Sequence, residues 1–260
     1  DLQSMGIWPD ILVCRSEHPL DDSIRSKIAL FCNVPKTHVL QNLDVEVLYE
    51  APLAMEKEHL AEVACQCLQL ECPEPDLTEW RAMIDAWKHP EHEVTVALVG
   101  KYTQLHDAYI SVVEALKHGG VANHAEVHIK WVDSETVTKE NVGEILGDVS
   151  GILVPGGFGS RGIDGKILAI QYARENNIPF LGLCLGMQLS IVEFARDVVG
   201  YSDAHSAELD PSTVHPVIHL MPDQNGIEDI GGTLRLGSYP CVLNKESKAY
   251  QLYGEETIHE

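Results

Sequence analysis

Positive charge is scarce in this 260-residue sequence. Lysine and arginine together number 18, against 40 aspartates and glutamates, and the formal net charge is −22. A nucleic-acid-binding surface needs a basic patch, so this composition argues against nucleic acid as a partner. It leaves nucleotides open as ligands, because a nucleotide needs only a few local cations.

Long apolar runs are also missing, although 45% of the residues are hydrophobic. No run reaches the roughly 20 residues that a membrane-spanning helix needs, and no signal-peptide pattern is visible. We therefore expect a packed core and no membrane partner.

Paired cysteine motifs are absent too. The seven cysteines show no C-x-x-C spacing, and an odd, scattered set is typical of reduced thiols in the cytoplasm. The alternative, Cys65 and Cys67 as zinc ligands, is weak because a second pair of ligands is missing.

The apolar pattern divides the chain into three predicted parts. Residues 1–70 resemble a piece of an α/β domain, residues 71–93 a proline-flanked linker with one helix, and residues 94–260 a second α/β unit. In the first part we predict strands at 10–14 and 38–40 and helices at 22–31 and 51–70.

In the second unit, strands alternate with helices, which predicts an α/β fold with a mostly parallel sheet and helices on both faces. The strands are predicted at 94–99, 125–132, 151–154 and 178–183, and the helices at 107–118, 138–146, 164–175 and 185–195. Gly119-Gly120 is predicted to close the first of these helices. Beyond Gly200 we predict a strand at 214–221, broken by Pro216, and short antiparallel strands at 233–236 and 241–243 near the sheet edge. We expect no strand in the polar run that ends at Glu260.

The candidate nucleophile is Cys184. It lies between an apolar strand and a helix in a G-x-C-x-G pattern with Gly182 and Gly186, the thiol form of a nucleophile elbow. The following helix directs its N–H groups and dipole at the sulfur, which favours thiolate. The competing interpretation is a small buried hydrophobic cysteine.

A second glycine-rich loop favours the catalytic interpretation. Residues 151–154 form an apolar strand that runs into Pro155-Gly156-Gly157-Phe158-Gly159. Adjacent parallel strands would place this loop beside the elbow. The N–H groups of Gly157 and Leu185 are then candidates for an oxyanion hole, and the predicted chemistry is acyl transfer.

A general base for Cys184 is harder to find. Acyl transfer needs a histidine oriented by an acid, and none of His205, His215, His219 and His259 is followed two residues later by Asp or Glu. Two other His-x-Glu sequences are rejected. The first begins at His89 in the linker, and the second begins at His124, where a strand opens at the far end of the sheet. We expect the partner residues to lie beyond Glu260.

These motifs resemble those of a known family. The elbow and the glycine-rich loop resemble class I (triad) glutamine amidotransferases, and further runs resemble the CTP synthase family specifically. The runs are Val99-Gly100-Lys101-Tyr102, Asp107-Ala108-Tyr109, Glu114-Ala115-Leu116-Lys117-His118, Gly231-Gly232-Thr233-Leu234-Arg235-Leu236-Gly237, Cys14-Arg15-Ser16 and Lys27-Ile28-Ala29-Leu30-Phe31-Cys32. The last two resemble the end of the family's ATP-dependent synthetase (amidoligase) domain.

The resemblance implies roles for individual residues. Cys184 would be the nucleophile, with Gly157 and Leu185 as the oxyanion hole. Glutamine would be bound by Gly157, Leu185, Gly186, Met187, Gln188 and Glu208. Lys27 would contact UTP or CTP, and ATP would be contacted by Arg15, Leu43, Asp44 and Val45. Ala207 and Leu43 depart from the family pattern, in which a threonine and a lysine are usual.

The resemblance also implies a reaction. Such enzymes aminate UTP to CTP with ATP and Mg²⁺, using ammonia from glutamine, and GTP activates them. The parent protein would be a homotetramer. The implied metal ligands and the His-x-Glu pair are not found in this sequence, so we expect an internal fragment that is inactive alone. The alternative is a catalytically silent, amidotransferase-like binding or regulatory module.

Overall fold

The N-terminal part of the chain is a small parallel α/β unit. The computed structural model describes residues 2–220 and 237–259. Strands β1 (Leu12–Ser16) and β2 (Val39–Leu43) pair in parallel. Helix α1 (Asp22–Cys32) connects them, and Asp21 caps it by accepting a hydrogen bond from the Ile24 N–H. The carboxyl ends of the two strands therefore lie side by side.

The predicted continuous helix over residues 51–70 is wrong. The structure has α2 (Ala51–Lys57) and α3 (Leu60–Leu68), separated at His59, whose φ is 60°. Glu58, at the break, accepts hydrogen bonds from Arg25 Nη1 at 2.7 Å and from Gln41 Nε2 at 2.9 Å. The hydrogen bonds from Arg25 hold the pKa of Glu58 below its usual range. The helix break at residues 58–59 thus lies at a tertiary ion pair, although the apolar pattern runs through residues 51–70.

The second unit carries the main sheet. After the linker helix α4 (Thr78–Lys88), the strands are β3 (His92–Gly100), β4 (Ala125–Asp133), β5 (Gly151–Val154) and β6 (Phe180–Gly182). The helices among them are α5 (Ile110–Ala122), α6 (Val142–Leu146), α7 (Ile163–Glu175) and α8 (Leu185–Phe194), and a π-helical turn, Ala195–Val199, extends the last.

All neighbouring strands of this sheet are parallel, in the order β4-β3-β5-β6. Strand side chains alternate between the two faces. Ala97 and Val99 point into a core shared with α6, α7 and α8, whereas Leu98 packs with Val112 and Leu116 of α5. Helices cover both faces, so the predicted fold class is confirmed.

Several predicted boundaries in the second unit are wrong. Gly119-Gly120 does not close α5, which continues to Ala122. A Cβ on Gly120 would lie 2.5 Å from Ala125 O, so this glycine permits close packing of the helix on β4. The predicted helix at 138–146 is reduced to α6.

The region after Gly200 also departs from prediction. Short strands β7 (His205–Ser206) and β8 (Pro216–Ile218) pair in parallel, so the predicted strand 214–221 is shorter. Strand β9 (Pro240–Val242), helix α9 (Lys248–Tyr253) and strand β10 (Thr257–His259) follow. β9 pairs antiparallel with β10, apart from the main sheet, and both the expected edge position and the expected absence of a last strand are wrong. The predicted strand 233–236 and most of the Gly231–Gly237 motif lie outside the described residues.

No helix in the described ranges has the length and apolar character needed to cross a bilayer.

A buried ion pair joins α7 to α8. The Glu193 side chain is 2% exposed, and Arg174 donates to it from Nη2 at 2.7 Å and from Nε at 2.9 Å. These hydrogen bonds raise the pKa of Arg174. The pair holds the helix that follows Cys184 against its neighbour.

We predict that Arg174→Met lowers the free energy of unfolding by about 3 kcal/mol, because it leaves the Glu193 carboxylate buried without its partner. Urea unfolding measures the change. Glu175→Ala is the matched control: it removes an exposed carboxylate 3.5 Å from Arg174 and should change the stability by less than about 0.5 kcal/mol. Equal effects of the two substitutions would contradict the assignment.

Candidate active site

Cys184 lies at the apex of a strained turn between β6 and α8. Its φ of 51° and ψ of −105° are conformations that a non-glycine residue seldom adopts. Strain of this kind persists only where the surroundings impose it, and it clusters at functional sites. The cysteine is exposed and forms no disulfide, so the interpretation as a buried hydrophobic thiol is wrong.

The flanking glycines make the turn possible. A Cβ on Gly182 would lie 2.5 Å from the backbone of Gly186, and a Cβ on Gly186 would lie 2.0 Å from Val154 O. Either atom would push the start of α8 away from the strands. The G-x-C-x-G spacing is therefore a packing requirement of the elbow.

The glycine-rich loop lies beside the cysteine, as expected from the pairing of β5 with β6. A Cβ on Gly156 would lie 3.3 Å from the Cys184 Cβ and 3.9 Å from its Sγ. A Cβ on Gly157 would lie 4.0 Å from Leu185 Cδ2. Among the described residues, the N–H groups of Gly157 and Leu185 donate no hydrogen bond, which leaves both available to a ligand oxygen.

A cluster of cations and aromatic rings borders this loop on the β3 side. Lys101 Nζ donates to Phe158 O, and Lys101 Nζ and Arg161 Cζ lie 5.3 and 5.7 Å from the centre of the Tyr102 ring. The Tyr109 hydroxyl accepts from Lys101 N at 3.2 Å. Lys101, Tyr102 and Tyr109 belong to motifs of the sequence that received no role in the site, and the sequence reasoning missed Arg161.

Lys166 is a buried cation that sequence reasoning missed. It lies in the first turn of α7 and is 1% exposed. Burial lowers its pKa, and the charge of Lys101 adds to that effect. Nearby, a Cβ on Gly165 would lie 1.8 Å from Ser134 O, and the buried Ser134 hydroxyl has no hydrogen-bond partner. The Gly-x-x-Gly-Lys spacing from Gly162 was the available signal.

The described histidines do not supply a base for Cys184, since none is hydrogen-bonded to it in residues 2–220 and 237–259. The structure instead pairs His215 Nδ1 with Asp203 Oδ1 at 2.7 Å, and this hydrogen bond lowers the pKa of Asp203. His205 accepts from Ser206 N, and burial lowers its pKa. His124 lies at the opening of β4, at the other end of the sheet from Cys184.

The predicted glutamine-binding residues differ in exposure and in position. Leu185 and Gly186 are buried, Gln188 is half-buried, and Met187 is 49% exposed on the first turn of α8. Glu208 is exposed in the turn after β7, where its N–H donates to Ser206 Oγ at 3.3 Å. No hydrogen bond in the described part of the chain ties Glu208 to the elbow.

Comparison with known proteins identifies this architecture. The profile of the family "Glutamine amidotransferase class-I" matches residues 104–259. The chain belongs to the class I glutamine amidotransferase family. The profile "CTP synthase N-terminus" matches residues 1–70.

Relatives with both parts of this class I amidotransferase chain are CTP synthases. Those of Clostridium kluyveri and Clostridium acetobutylicum are each 56% identical over 260 residues, all of this chain. The chain spans 48% and 49% of their lengths, about half of each relative. The resemblance stated from the motifs is confirmed.

A solved structure supports the fold of the amidotransferase part. It is the glutaminase domain of the Trypanosoma brucei CTPS with bound acivicin, 36% identical, with a TM-score of 0.53. The match covers 64% of this chain and 65% of that one.

The residues predicted to contact nucleotide lie in the part that matches the CTP synthase N-terminus. Arg15 opposes Asn42 across the β1–β2 pair, and Arg15 Nε lies 3.2 Å from Asp44 Oδ1. The structure thus brings Arg15 beside the predicted ATP segment of Leu43, Asp44 and Val45. Lys27 is exposed on α1.

One cluster in the described residues brings three potential metal ligands close together. Glu93, Glu126 and His128 offer ligand atoms that all lie within 4.8 Å of one another, and all three are exposed. They lie near the amino ends of β3 and β4, whereas Cys184 lies just after the carboxyl end of β6. This cluster has no part in the elbow.

Proposed function

We propose that Cys184 is the nucleophile of a glutaminase site in a glutamine-hydrolysing CTP synthase, a C–N ligase. The observation that carries the proposal is the pair of free N–H groups, those of Gly157 and Leu185, beside a strained and exposed cysteine. In this proposal they would donate hydrogen bonds to the oxygen of a side-chain amide, which acquires negative charge during attack.

The proposed chemistry is acyl transfer. The Cys184 thiolate attacks the carbonyl carbon of the glutamine side-chain amide, ammonia leaves, and water hydrolyses the resulting thioester. A proton must reach the departing ammonia, and none of the described histidines is bonded to Cys184. We therefore expect this chain alone to react with a glutamine analogue but to hydrolyse glutamine slowly.

Glutamine recognition is assigned to the start of α8 and to Glu208. Leu185, Gly186, Met187 and Gln188 would line the site, and the Glu208 carboxylate would bind the substrate ammonium by charge-assisted hydrogen bonds. The bound acivicin in the trypanosomal glutaminase domain supports a glutamine-like ligand at this site.

Ammonia would be used in the N-terminal part, where ATP activates the uracil ring of UTP. Lys27 is proposed to contact UTP or CTP. Arg15 with Leu43, Asp44 and Val45 would contact ATP, and their placement at adjacent parallel strand ends fits an anionic ligand. Mg²⁺ would neutralise phosphate charge, but the carboxylate nearest to Arg15, that of Asp44, pairs with the guanidinium.

The activator and the oligomeric state are proposed from the resemblance to the same family. GTP would act as an activator, and the whole protein would be a homotetramer. All seven cysteines are free thiols, which supports a reducing compartment such as the cytoplasm. We also propose that residues 1–70 end a synthetase domain, residues 71–93 form the linker, and residues 94–260 belong to the amidotransferase domain.

The test uses the gene product that contains this sequence, supplied with UTP, ATP and Mg²⁺. We expect CTP to form with either glutamine or ammonia as the nitrogen donor. A Cys184→Ser variant should retain the ammonia-dependent reaction and lose the glutamine-dependent one. Absence of CTP with both donors, together with no adduct between acivicin and Cys184, would favour the silent binding module instead.

A further inference from the structure

Tyr49 is the point at which three segments of the chain meet. It lies in a short 3-10 helix, Leu48–Glu50, shortly after the predicted ATP segment. Its backbone oxygen accepts from Trp80 Nε1 of the linker helix at 2.7 Å, and its hydroxyl donates to Glu114 Oε2 of α5 at 3.0 Å. One half-buried tyrosine thus holds the N-terminal unit, the linker and the amidotransferase unit together.

The hydrogen-bond direction at Tyr49 is fixed by proton counting. A tyrosine hydroxyl has one proton, and here it points to Glu114. His118 Nε2, 2.7 Å from the same hydroxyl oxygen, must therefore be the donor. Lys117 Nζ also donates to Glu114, at 3.1 Å. The Tyr49 hydroxyl and the Glu114 carboxylate thus each have two partners, so the arrangement is specific in geometry.

Aromatic packing and a second ion pair reinforce the junction. The Tyr49 ring lies 5.2 Å from Trp87 and 5.0 Å from His118, measured between ring centres. Lys88, at the end of α4, contacts Glu50 at 2.7 Å and Glu46 at 3.2 Å. Movement of the segment at residues 43–50 would therefore be transmitted to α4 and α5.

Helix α5 leads from this junction to the candidate active site. Tyr109 precedes its first turn and is buried, and its hydroxyl accepts from Lys101 N. A Cβ on Gly100 would lie 2.5 Å from that hydroxyl oxygen, so the contact is tightly packed. Lys101 in turn donates to Phe158 O, in the loop whose Gly156 lies against Cys184.

We propose that Tyr49 is a positioning residue that couples nucleotide binding near Leu43–Val45 to the reactivity of Cys184 through α5. The coupling rests on the proposed function. Nucleotide contacts at residues 43–45 shift the 3-10 helix Leu48–Glu50, and Tyr49 transmits this shift to Glu114 and His118 on α5. Lys101 then transmits it to the glycine-rich loop at residues 155–159. Coupling between sites is a free-energy linkage, so it is measurable as a change in stimulation.

The experiment uses the gene product that contains this sequence, with three readouts. They are ammonia-dependent CTP formation, the rate of Cys184 modification by acivicin without nucleotides, and the same rate with ATP and UTP. For Tyr49→Phe, we expect the first two readouts to stay within twofold of the unmodified protein. The coupling predicts that ATP and UTP speed Cys184 modification in the unmodified protein, and we expect this stimulation to fall at least fivefold in Tyr49→Phe; no stimulation in the unmodified protein would overturn the coupling.

Further variants separate coupling from folding. Glu114→Gln keeps an acceptor for the Tyr49 hydroxyl and should retain the stimulation within twofold, whereas Glu114→Ala should match Tyr49→Phe. Tyr172→Phe is the matched control, because it removes the hydroxyl of another half-buried tyrosine, on α7. It should leave the stimulation unchanged.

Stimulation by nucleotides within twofold of the unmodified protein in Tyr49→Phe would overturn the coupling. An equal fall of all three readouts would also overturn it, since that pattern shows general destabilisation. If the unmodified protein forms no CTP and its Cys184 does not react, the proposed function fails and the coupling fails with it. Normal activities with unchanged stimulation reject the coupling alone.

Discussion

Cys184→Ser is expected to reduce labelling of this chain by acivicin by at least about 10³-fold, because loss of a nucleophile removes nearly all of the rate. A serine hydroxyl is not ionised at neutral pH and needs a base, and no histidine of residues 2–220 and 237–259 is bonded at this position. Intact-protein mass spectrometry measures the adduct over time.

Cys241→Ser is the matched control for this measurement. Cys241 is also exposed and free, but it lies on β9, apart from the elbow. It lies within a strand, and the next helix begins only at Lys248, so its loss should leave labelling unchanged. Comparable labelling of Cys184→Ser and the unmodified chain would show that acivicin reacts elsewhere and would remove Cys184 from the site.

Gly186→Ala is expected to have the second large effect, because the added methyl group would lie 2.0 Å from Val154 O. We expect a loss of about 3 kcal/mol in the free energy of unfolding, as in overpacked cores. Labelling of Cys184 should slow on the order of 100-fold, since small displacements of reacting groups have effects of that size. Urea unfolding and the acivicin adduct rate measure the two effects.

Gly119→Ala provides the comparison. It makes the same chemical change inside helix α5, where a Cβ meets nothing within 4 Å. Alanine is the better helix former by about 1 kcal/mol, so stability should stay equal or rise, with labelling unchanged. If Gly186→Ala behaved like Gly119→Ala, the elbow would be able to relax, and the close packing against Val154 would not position Cys184.

Much of the fold was predictable because its signals are local. Apolar runs near Val99 and Val154 predict buried parallel strands, and the glycines around Cys184 predict a tight turn before a helix. The juxtaposition of Gly157 with Leu185 also followed from sequence, because adjacent parallel strands bring their following loops to one sheet edge. Composition likewise argued against a nucleic-acid surface.

Other features depended on contacts between distant residues. The apolar pattern continues through His59, whereas the break between α2 and α3 lies beside the ion pair between Glu58 and Arg25, 33 positions apart. In the sequence Gly120 resembles a helix end, but in the structure it permits close packing of α5 on Ala125, and the helix continues past it. Strand β10 and its pairing with β9 could not be predicted from a short polar run. A strand of three residues forms only through its hydrogen bonds to a partner strand, and the local sequence does not specify that partner.

The sequence by itself determined the tight turn at Cys184, the loop beside it and the family, since each rests on residues that are close along the chain. The tertiary structure alone decided how those residues are supported. Glu193 on α8 is buried and paired because helix packing brings Arg174 of α7 beside it. Lys166 is buried because α7 packs onto the sheet. Tyr49 meets Glu114, 65 positions away, because helix packing brings the two segments together, and local patterns carry no information about contacts at such separations.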